Sequence, residues 1–191
     1  MLLIKRIRKK YIFQLSGIIV LIFFFYSNYS VYHIVSQSME NTLLVGDYIL
    51  IKKLKRKSLK YGDIGVFKSF RHMRNFTKRV IGLPGDTIEI QDYKVYRNSK
   101  LIPYKNNSAY SIDFFQSEDG KRASSKVEFK NKRFIISQDS LFVVGDNIKD
   151  SYDSRYFGPI PSKISYGKVE IVIFNYYNGK HQWSRILKKV D

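Results

Sequence analysis

The sequence predicts a mainly β protein with antiparallel sheets, preceded by one membrane-spanning helix. Three observations carry this. A nearly unbroken apolar run, Tyr11–Tyr26, follows a short basic stretch. The rest of the chain divides into short segments rich in Val, Ile, Phe and Tyr, bounded by Gly, Asp or Asn, which is the signature of strands. Most of these segments are joined by turns too short for the helical crossover that parallel neighbours need.

The helix comes first. Residues 1–10 hold Lys5, Arg6, Arg8, Lys9 and Lys10 and no acid, and from Tyr11 to Ile51 there is neither Lys nor Arg. Sixteen helical residues, 11–26, span about 24 Å, short of a bilayer core of about 30 Å, whereas continuing to Tyr32 gives about 33 Å. Tyr26, Tyr29 and Tyr32 then stand at the far interface, where amphipathic aromatic rings are favoured. The positive flank predicts a cytoplasmic tail at 1–10, a single-pass anchor in the cell membrane at 11–32, and an extracytoplasmic remainder. A cleaved signal peptide would share the basic start and apolar middle. It would also need small residues before a scission point, and the first Ala of the chain is Ala109, with Ser27 and Ser30 as poor substitutes. A buried soluble helix is disfavoured because no polar stripe interrupts Ile18–Phe25.

The strands are expected at 47–53, 62–68, 86–91, 93–97, 127–136, 141–144 and 168–175, with a hairpin turning at Asn98–Lys100 and a tight turn at Gly82–Asp86. Residues 105–126 are polar and aperiodic and read as a loop or a mobile part of an inserted subdomain. The expected organisation is a catalytic β core from 33–97 and 141–175, an inserted cap subdomain at 98–140, and a tail at 176–191. A short basic amphipathic piece is possible at His181–Val190.

Composition removes whole classes of function. With no cysteine there is no disulfide scaffold, zinc ribbon or thiol nucleophile. Three scattered histidines without metal-ligand spacing argue against a metal site, so neither metal nor cofactor is expected. The net charge of +18 allows nucleic acid, an anionic membrane surface or solubility alone as its reason. Five of the 34 basic residues lie in the first ten, so 29 remain against 16 acids in the exported part. That topology favours nearness to membrane lipid over nucleic acid.

Three segments carry chemistry: Ser36-Gln37-Ser38-Met39-Glu40-Asn41-Thr42-Leu43; Lys78-Arg79-Val80-Ile81-Gly82-Leu83-Pro84-Gly85-Asp86; and Gly145-Asp146-Asn147 with Ser151, Asp153, Ser154, Arg155 and Gly158 behind it. Taken singly, each is most often something ordinary: a surface turn, a solvated pair of cations, an ion pair. Together, and with the anchor and the Tyr61–Phe67 box, they resemble the type I signal peptidases, membrane-bound Ser/Lys proteases, in order and in spacing. The resemblance runs from the anchor to about residue 161. Two departures stand out. Asn41 occupies a position where the family often has Pro. Ile148-Lys149 follows Gly145-Asp146-Asn147 where the family has Arg-Asp.

The resemblance implies a signal-peptidase-like antiparallel β core and an acyl-enzyme hydrolysis of exported preproteins after small residues, at sites of the Ala-x-Ala type. By match to the family motifs, Ser38 is the nucleophile and Lys78 its general base. Ser36 is an oxyanion-hole donor beside the Ser38 N–H, and Ser151 orients the lysine. Asp153 and Arg155 form an ion pair behind the site, and Asp146 pairs with Arg79. Tyr32, Ile34, Met39, Leu43 and Phe76 match or adjoin the substrate-pocket positions, though each would also serve as core. A free lysine is protonated at neutral pH, so Lys78 must be buried among apolar groups to act as a base. Phe76, Val80 and Ile81 flank it, no acid lies between Asp63 and Asp86, and strand alternation sends Arg79 to the opposite face. Ser38 lies close after the anchor, so the centre is expected at the outer membrane face.

Two rivals differ in what they ask of the residues. A specialised peptidase of the same clan, such as the maturation protease of conjugative transfer, would cut one substrate and not many. A non-catalytic, basic, membrane-tethered binding protein would have no need of Ser38, Lys78 and Ser151 together.

Overall fold

The computed structural model describes residues 2–54, 59–69, 75–91, 94–103 and 131–190. The expected loop at 105–126 and the first part of the 127–136 segment lie outside the described residues.

Helix α1 (Leu2–Asn28) contains one stretch, Tyr11–Asn28, long and apolar enough to cross a membrane, and none of that stretch is buried against the protein. Its 18 residues reach about 27 Å. The helix ends at Asn28, not at residue 32: Tyr29–His33 form strand β1, paired in register with Lys52–Tyr48. The physical reason is partly local and partly tertiary. Ser27, Asn28 and Ser30 break the apolar run, and the exposed edge of the next strand offers Tyr29–His33 a full set of backbone partners. Lys53 Nζ donates to the Tyr26 carbonyl at 2.7 Å, closing the helix terminus with a cation where the helix dipole favours one.

Strands β2 (Asp47–Lys53), β3 (Ile64–Phe67), β4 (Phe76–Gly82) and β5 (Thr87–Gln91) follow. Next come β6 (Lys94–Arg97), β7 (Lys100–Leu101), β8 (Lys132–Ile135) and β9 (Ser140–Val144). A short helix α2 (Ser154–Phe157) precedes β10 (Ile160–Pro161), β11 (Ser165–Tyr177), β12 (Lys180–His181) and β13 (Lys188–Lys189). The main sheet runs β1-β2-β11-β3-β4-β9-β10, with β12 and β13 pairing onto β11. All of its pairings are antiparallel. A second antiparallel sheet runs β7-β6-β5-β8. It therefore takes in 87–91 and 94–97, which precede residue 98.

The turns follow their residues. Asn98 and Ser99 both have positive φ (50° and 65°), which is the two-residue hairpin turn joining β6 to β7. Pro84 and Gly85 occupy the centre of a turn closed by Asp86 N–H to the Leu83 carbonyl, and Gly85 supplies the φ of +86° that this turn type demands.

Three apolar clusters hold the elements together. One, built on Met39, Leu43, Ile49, Ile51, Val66 and Val172, lies beneath β2, β3 and β11. A second, around Phe67, Val80, Leu141 and Val143, lies beneath β4 and β9. The third joins Ile88 and Ile90 of the second sheet, and Ile136 just after β8, to Phe142 and Val144 of β9. The site lies where β4 and β9 meet the turn that carries Ser38.

The segment after β11 folds back on it. Arg185 is buried and clamps Asp47, itself fully buried, through Nε (2.7 Å) and a second guanidinium nitrogen. Five described strands, β1, β4, β10, β12 and β13, lie outside the expected segments, although the alternation read at Lys78-Arg79 already implies an extended chain at β4. In β4 the Lys78-Arg79 pair interrupts the apolar alternation by which a strand is recognised.

Candidate active site

Ser38 sits in a single 3-10 turn, Gln37–Met39, whose N-cap is Ser36. The Ser38 backbone N–H donates to Ser36 Oγ at 3.2 Å. The cap points Ser38 and Met39 inward, leaving Ser38 8% and Met39 1% exposed. Lys78 comes from the middle of β4. Alternation along that strand buries Lys78, at 4% exposure, while Arg79 stays partly exposed on the other face. The two chains meet: Lys78 Nζ and Ser38 Oγ are 2.5 Å apart.

Burial pushes the Lys78 amine from its ordinary 10.5 down to about 8. Asp153, Asp150 and Asp146 pull the other way, and Arg155 adds to the depression. Desolvation is the largest of these effects, so the amine is an accessible base near neutrality.

The Gly145-Asp146-Asn147 loop fastens the serine turn to the sheet. Asn147 N–H donates to the Ser38 carbonyl (3.1 Å), and Asn147 Nδ2 donates to the Gln37 carbonyl (3.0 Å). Asp146 accepts from Arg79 through both oxygens (2.8 and 2.7 Å) and from the Thr42 hydroxyl (2.5 Å). Gly145 has no room for a side chain: a Cβ there would stand 2.2 Å from Ser151 Oγ and 2.3 Å from the Ser38 carbonyl oxygen.

Behind the lysine lies a buried charge network. Ser151 Oγ donates to Asp153 at 2.6 Å. Its oxygen lone pairs are therefore what it offers to an ammonium. Asp153 also accepts from Gly145 N–H (3.0 Å) and, bidentately, from Arg155 (2.8 Å each). Burial pushes the Asp153 carboxyl up, but the Arg155 charge and these hydrogen bonds outweigh it and hold the group below the usual carboxylate range. Arg155 also donates to the Ile148 and Ser151 carbonyls (3.1 and 3.2 Å). The 148–149 departure thus touches the network through a backbone carbonyl. Asn41 has φ +81°, which the proline ring cannot adopt, so the chain leaves the serine turn by a path closed to the family's more usual residue.

The five expected pocket residues separate. Ile34, Met39 and Leu43 belong to the cluster beneath β2, β3 and β11, with Met39 and Leu43 essentially inaccessible. Tyr32 packs beside that cluster and Phe76 beside the β4–β9 cluster, each partly exposed. Among the described residues no group of three His, Cys, Asp or Glu has metal-binding geometry. The sequence reading missed three contacts: the Thr42 hydroxyl on Asp146, the grip of Asn147 on the turn carbonyls, and the Asp47–Arg185 pair. No local pattern announces any of them, since each joins positions at least a hundred residues apart.

The model of the family described as "Signal peptidase, peptidase S26" matches residues 5–174. Signal peptidase I of Aquifex aeolicus is 32% identical over 78% of this chain and 76% of its own length. Signal peptidase I V of Bacillus subtilis is 35% identical over 69% of this chain and 78% of its own. A solved signal peptidase I of Enterococcus faecalis is 30% identical, covers 59% of this chain and 97% of its own, and has a TM-score of 0.41.

Proposed function

This chain belongs to the signal peptidases of family S26, and from that premise we propose how its residues carry out the reaction. The protein is a serine endopeptidase that removes signal peptides from secreted preproteins. Its apolar helix fits a membrane-associated family.

The observation that carries the mechanism is the 2.5 Å contact between a buried serine hydroxyl and a buried amine depressed to about 8. Neutral Lys78 accepts the Ser38 proton as Oγ attacks the scissile carbonyl. The negative charge that develops on the carbonyl oxygen is met by the Ser38 N–H and the Ser36 hydroxyl. That requires the N–H to exchange its present acceptor, Ser36 Oγ, for the substrate oxygen, and the Ser36 hydroxyl to turn toward the same point. The new ammonium then gives its proton to the leaving amine, and the C–N bond breaks, leaving an ester on Ser38. A water deprotonated by Lys78 hydrolyses the ester and restores the hydroxyl. Ser151 and the Asp153–Arg155 pair hold the lysine, and neither takes part in proton transfer.

The anchor at residues 11–28, with its cationic N-terminal flank, supports a cytoplasmic N-terminus and a catalytic unit on the outer face. The partners in this reading are secretory preproteins and membrane lipid, without nucleic acid. An extended substrate sends alternate side chains one way, so shallow pockets would read small residues at the first and third positions before the cut. Tyr32 and Phe76, both partly exposed, are the better placed of the five pocket candidates.

The test compares purified wild type, Ser38→Ala and Lys78→Ala on a preprotein with an Ala-x-Ala site. Both variants should be inactive, and undiminished cleavage by either refutes the dyad. Processing of several unrelated preproteins separates this reading from a single-substrate maturation protease.

A further inference from the structure

Arg185 lies beyond the family-matched span, yet the residue is 5% exposed and its side chain ends beside the segment that leaves the nucleophile turn. Its guanidinium makes the bidentate pair with Asp47 and also donates to the Thr42 carbonyl at 3.0 Å. The other contacts of Asp47 extend the grip. One oxygen accepts from Leu44 N–H (2.8 Å) and the other from Asn175 Nδ2 (2.9 Å).

Thr42 is therefore held from two sides. Its carbonyl is fixed by the C-terminal segment, and its hydroxyl is fixed by Asp146 of the catalytic loop. Its N–H and that of Leu43 donate to the Met39 carbonyl (3.1 and 2.8 Å), closing the turn that directly follows Ser38. Between Ser38 and Asp47 the chain forms no strand and passes through Asn41 at positive φ, so regular pairing does not fix it. These hydrogen bonds and the buried Met39 and Leu43 side chains fix it instead.

We propose that Arg185 is a positioning residue for the reaction, with the segment 182–190 acting as a clasp that sets the serine turn against Lys78. The clasp is held in place independently: β13 pairs with β11, and Arg185 N–H and Ile186 N–H close turns onto Gln182 and Trp183. Only a planar fork can take both Asp47 oxygens and still reach a carbonyl. A lysine would keep Asp47 neutralised but could not hold Thr42 in the same geometry. The inference rests on Ser38 being the nucleophile.

The test uses the full chain in detergent micelles and a peptide spanning an Ala-x-Ala site. kcat, KM and the melting temperature are measured for wild type, Arg185→Lys, Arg185→Gln, Lys188→Ala and Ser38→Ala. Arg185→Lys should remain folded at the assay temperature, lose about 10- to 100-fold in kcat and leave KM within about twofold, because a misplaced nucleophile slows chemistry without touching substrate contacts. Lys188→Ala, exposed on the same segment, should match wild type. If Arg185→Gln does not fold, Arg185→Lys decides. A fully active Arg185→Lys, or a loss that follows only the folded fraction or only KM, overturns the clasp. An inactive Ser38→Ala beside a fully active Arg185→Lys overturns the clasp alone. A fully active Ser38→Ala overturns the nucleophile assignment, and the clasp with it.

Discussion

Replacing Lys78 with methionine separates what the amine does for catalysis from what it costs the fold. Burial lowers its pKa from 10.5 to about 8. At about 1.36 kcal/mol per pKa unit, keeping the ammonium in the folded state costs roughly 3 kcal/mol wherever the pH is below about 8. Methionine is of similar length and carries no charge, so that cost disappears. The Ser38 hydroxyl loses its partner, which gives back about 1 kcal/mol. The net gain at pH 7 is roughly 2 kcal/mol, and for a chain of this size that is about 4–8 °C in melting temperature.

The sign reverses with pH. The folded-state pKa lies below the unfolded one, so between about 8 and 10.5 the unfolded chain binds more protons and wild type gains stability as pH rises. The advantage of Lys78→Met should therefore shrink across that window and end as a deficit of about 1 kcal/mol above it. Far-UV circular dichroism melts of both proteins in the same micelles at pH 7 and pH 10.5 measure this, with peptide cleavage followed alongside. A variant that melts below wild type at pH 7, or keeps the same offset at both pH values, would show that the amine is not held against desolvation. A variant that cleaves would remove Lys78 from the reaction.

Other outcomes follow from the same geometry. The acid limb of kcat/KM should rise through a pH near 8, the free-enzyme value of Lys78, and a limb near 10 would mean the amine is solvated. Ser36→Ala should lower kcat by about 10²–10³-fold with little change in KM, and an unchanged kcat would take the hydroxyl out of the oxyanion hole. Gly145→Ala forces a methyl against Ser151 Oγ and the Ser38 carbonyl, so kcat should fall by about 100-fold even in protein that circular dichroism shows to be folded. Asp153→Asn removes a group that raises the Lys78 pKa and leaves Arg155 in place. The acid limb should therefore move to lower pH while stability falls by about 3–5 kcal/mol, read in denaturant titrations, and a limb that moves upward contradicts the account.

The parts legible in sequence are those whose signal is local. The Tyr11–Tyr26 run gives the helix, and Asp47–Lys53 is the expected strand to the residue, because Tyr48, Ile49, Leu50 and Ile51 form a short β-rich run bounded by Gly46 and Asp47. The helix end is less legible because its stop is partly tertiary. Tyr29–His33 become a strand only because β2 offers an unpaired edge. β4 is legible only through the alternation of Lys78 and Arg79, because two central cations make it a poor strand by composition, and one of them is the residue the site buries. Pocket positions carried over from motifs were equally ambiguous. Tyr32 and Phe76 remain partly exposed, whereas Met39 and Leu43 are packed into core, a difference set by neighbours distant in sequence.

The arginines of the site explain how an amine facing three carboxylates is still held below its ordinary value. Asp146, Asp150 and Asp153 all favour the charged form of Lys78. Two of the three are gripped by arginines through both carboxylate oxygens, Asp146 by Arg79 and Asp153 by Arg155. An arginine does not surrender its proton, so each guanidinium offsets the carboxylate it grips. The field that would otherwise hold the ammonium is thereby reduced, and desolvation prevails. The same pairs are mechanical. Arg79 and Thr42 meet on Asp146, tying β4 to the nucleophile turn, and Asp153 binds Gly145 and Ser151 on the other side of Ser38. In the proposed mechanism, the pairs that weaken the hold of the carboxylates on Lys78 therefore also tie its strand to the turn of Ser38. That coupling is why Asp153→Asn must be read in a pH profile as well as in a rate, since only the profile separates a moved lysine from a recharged one.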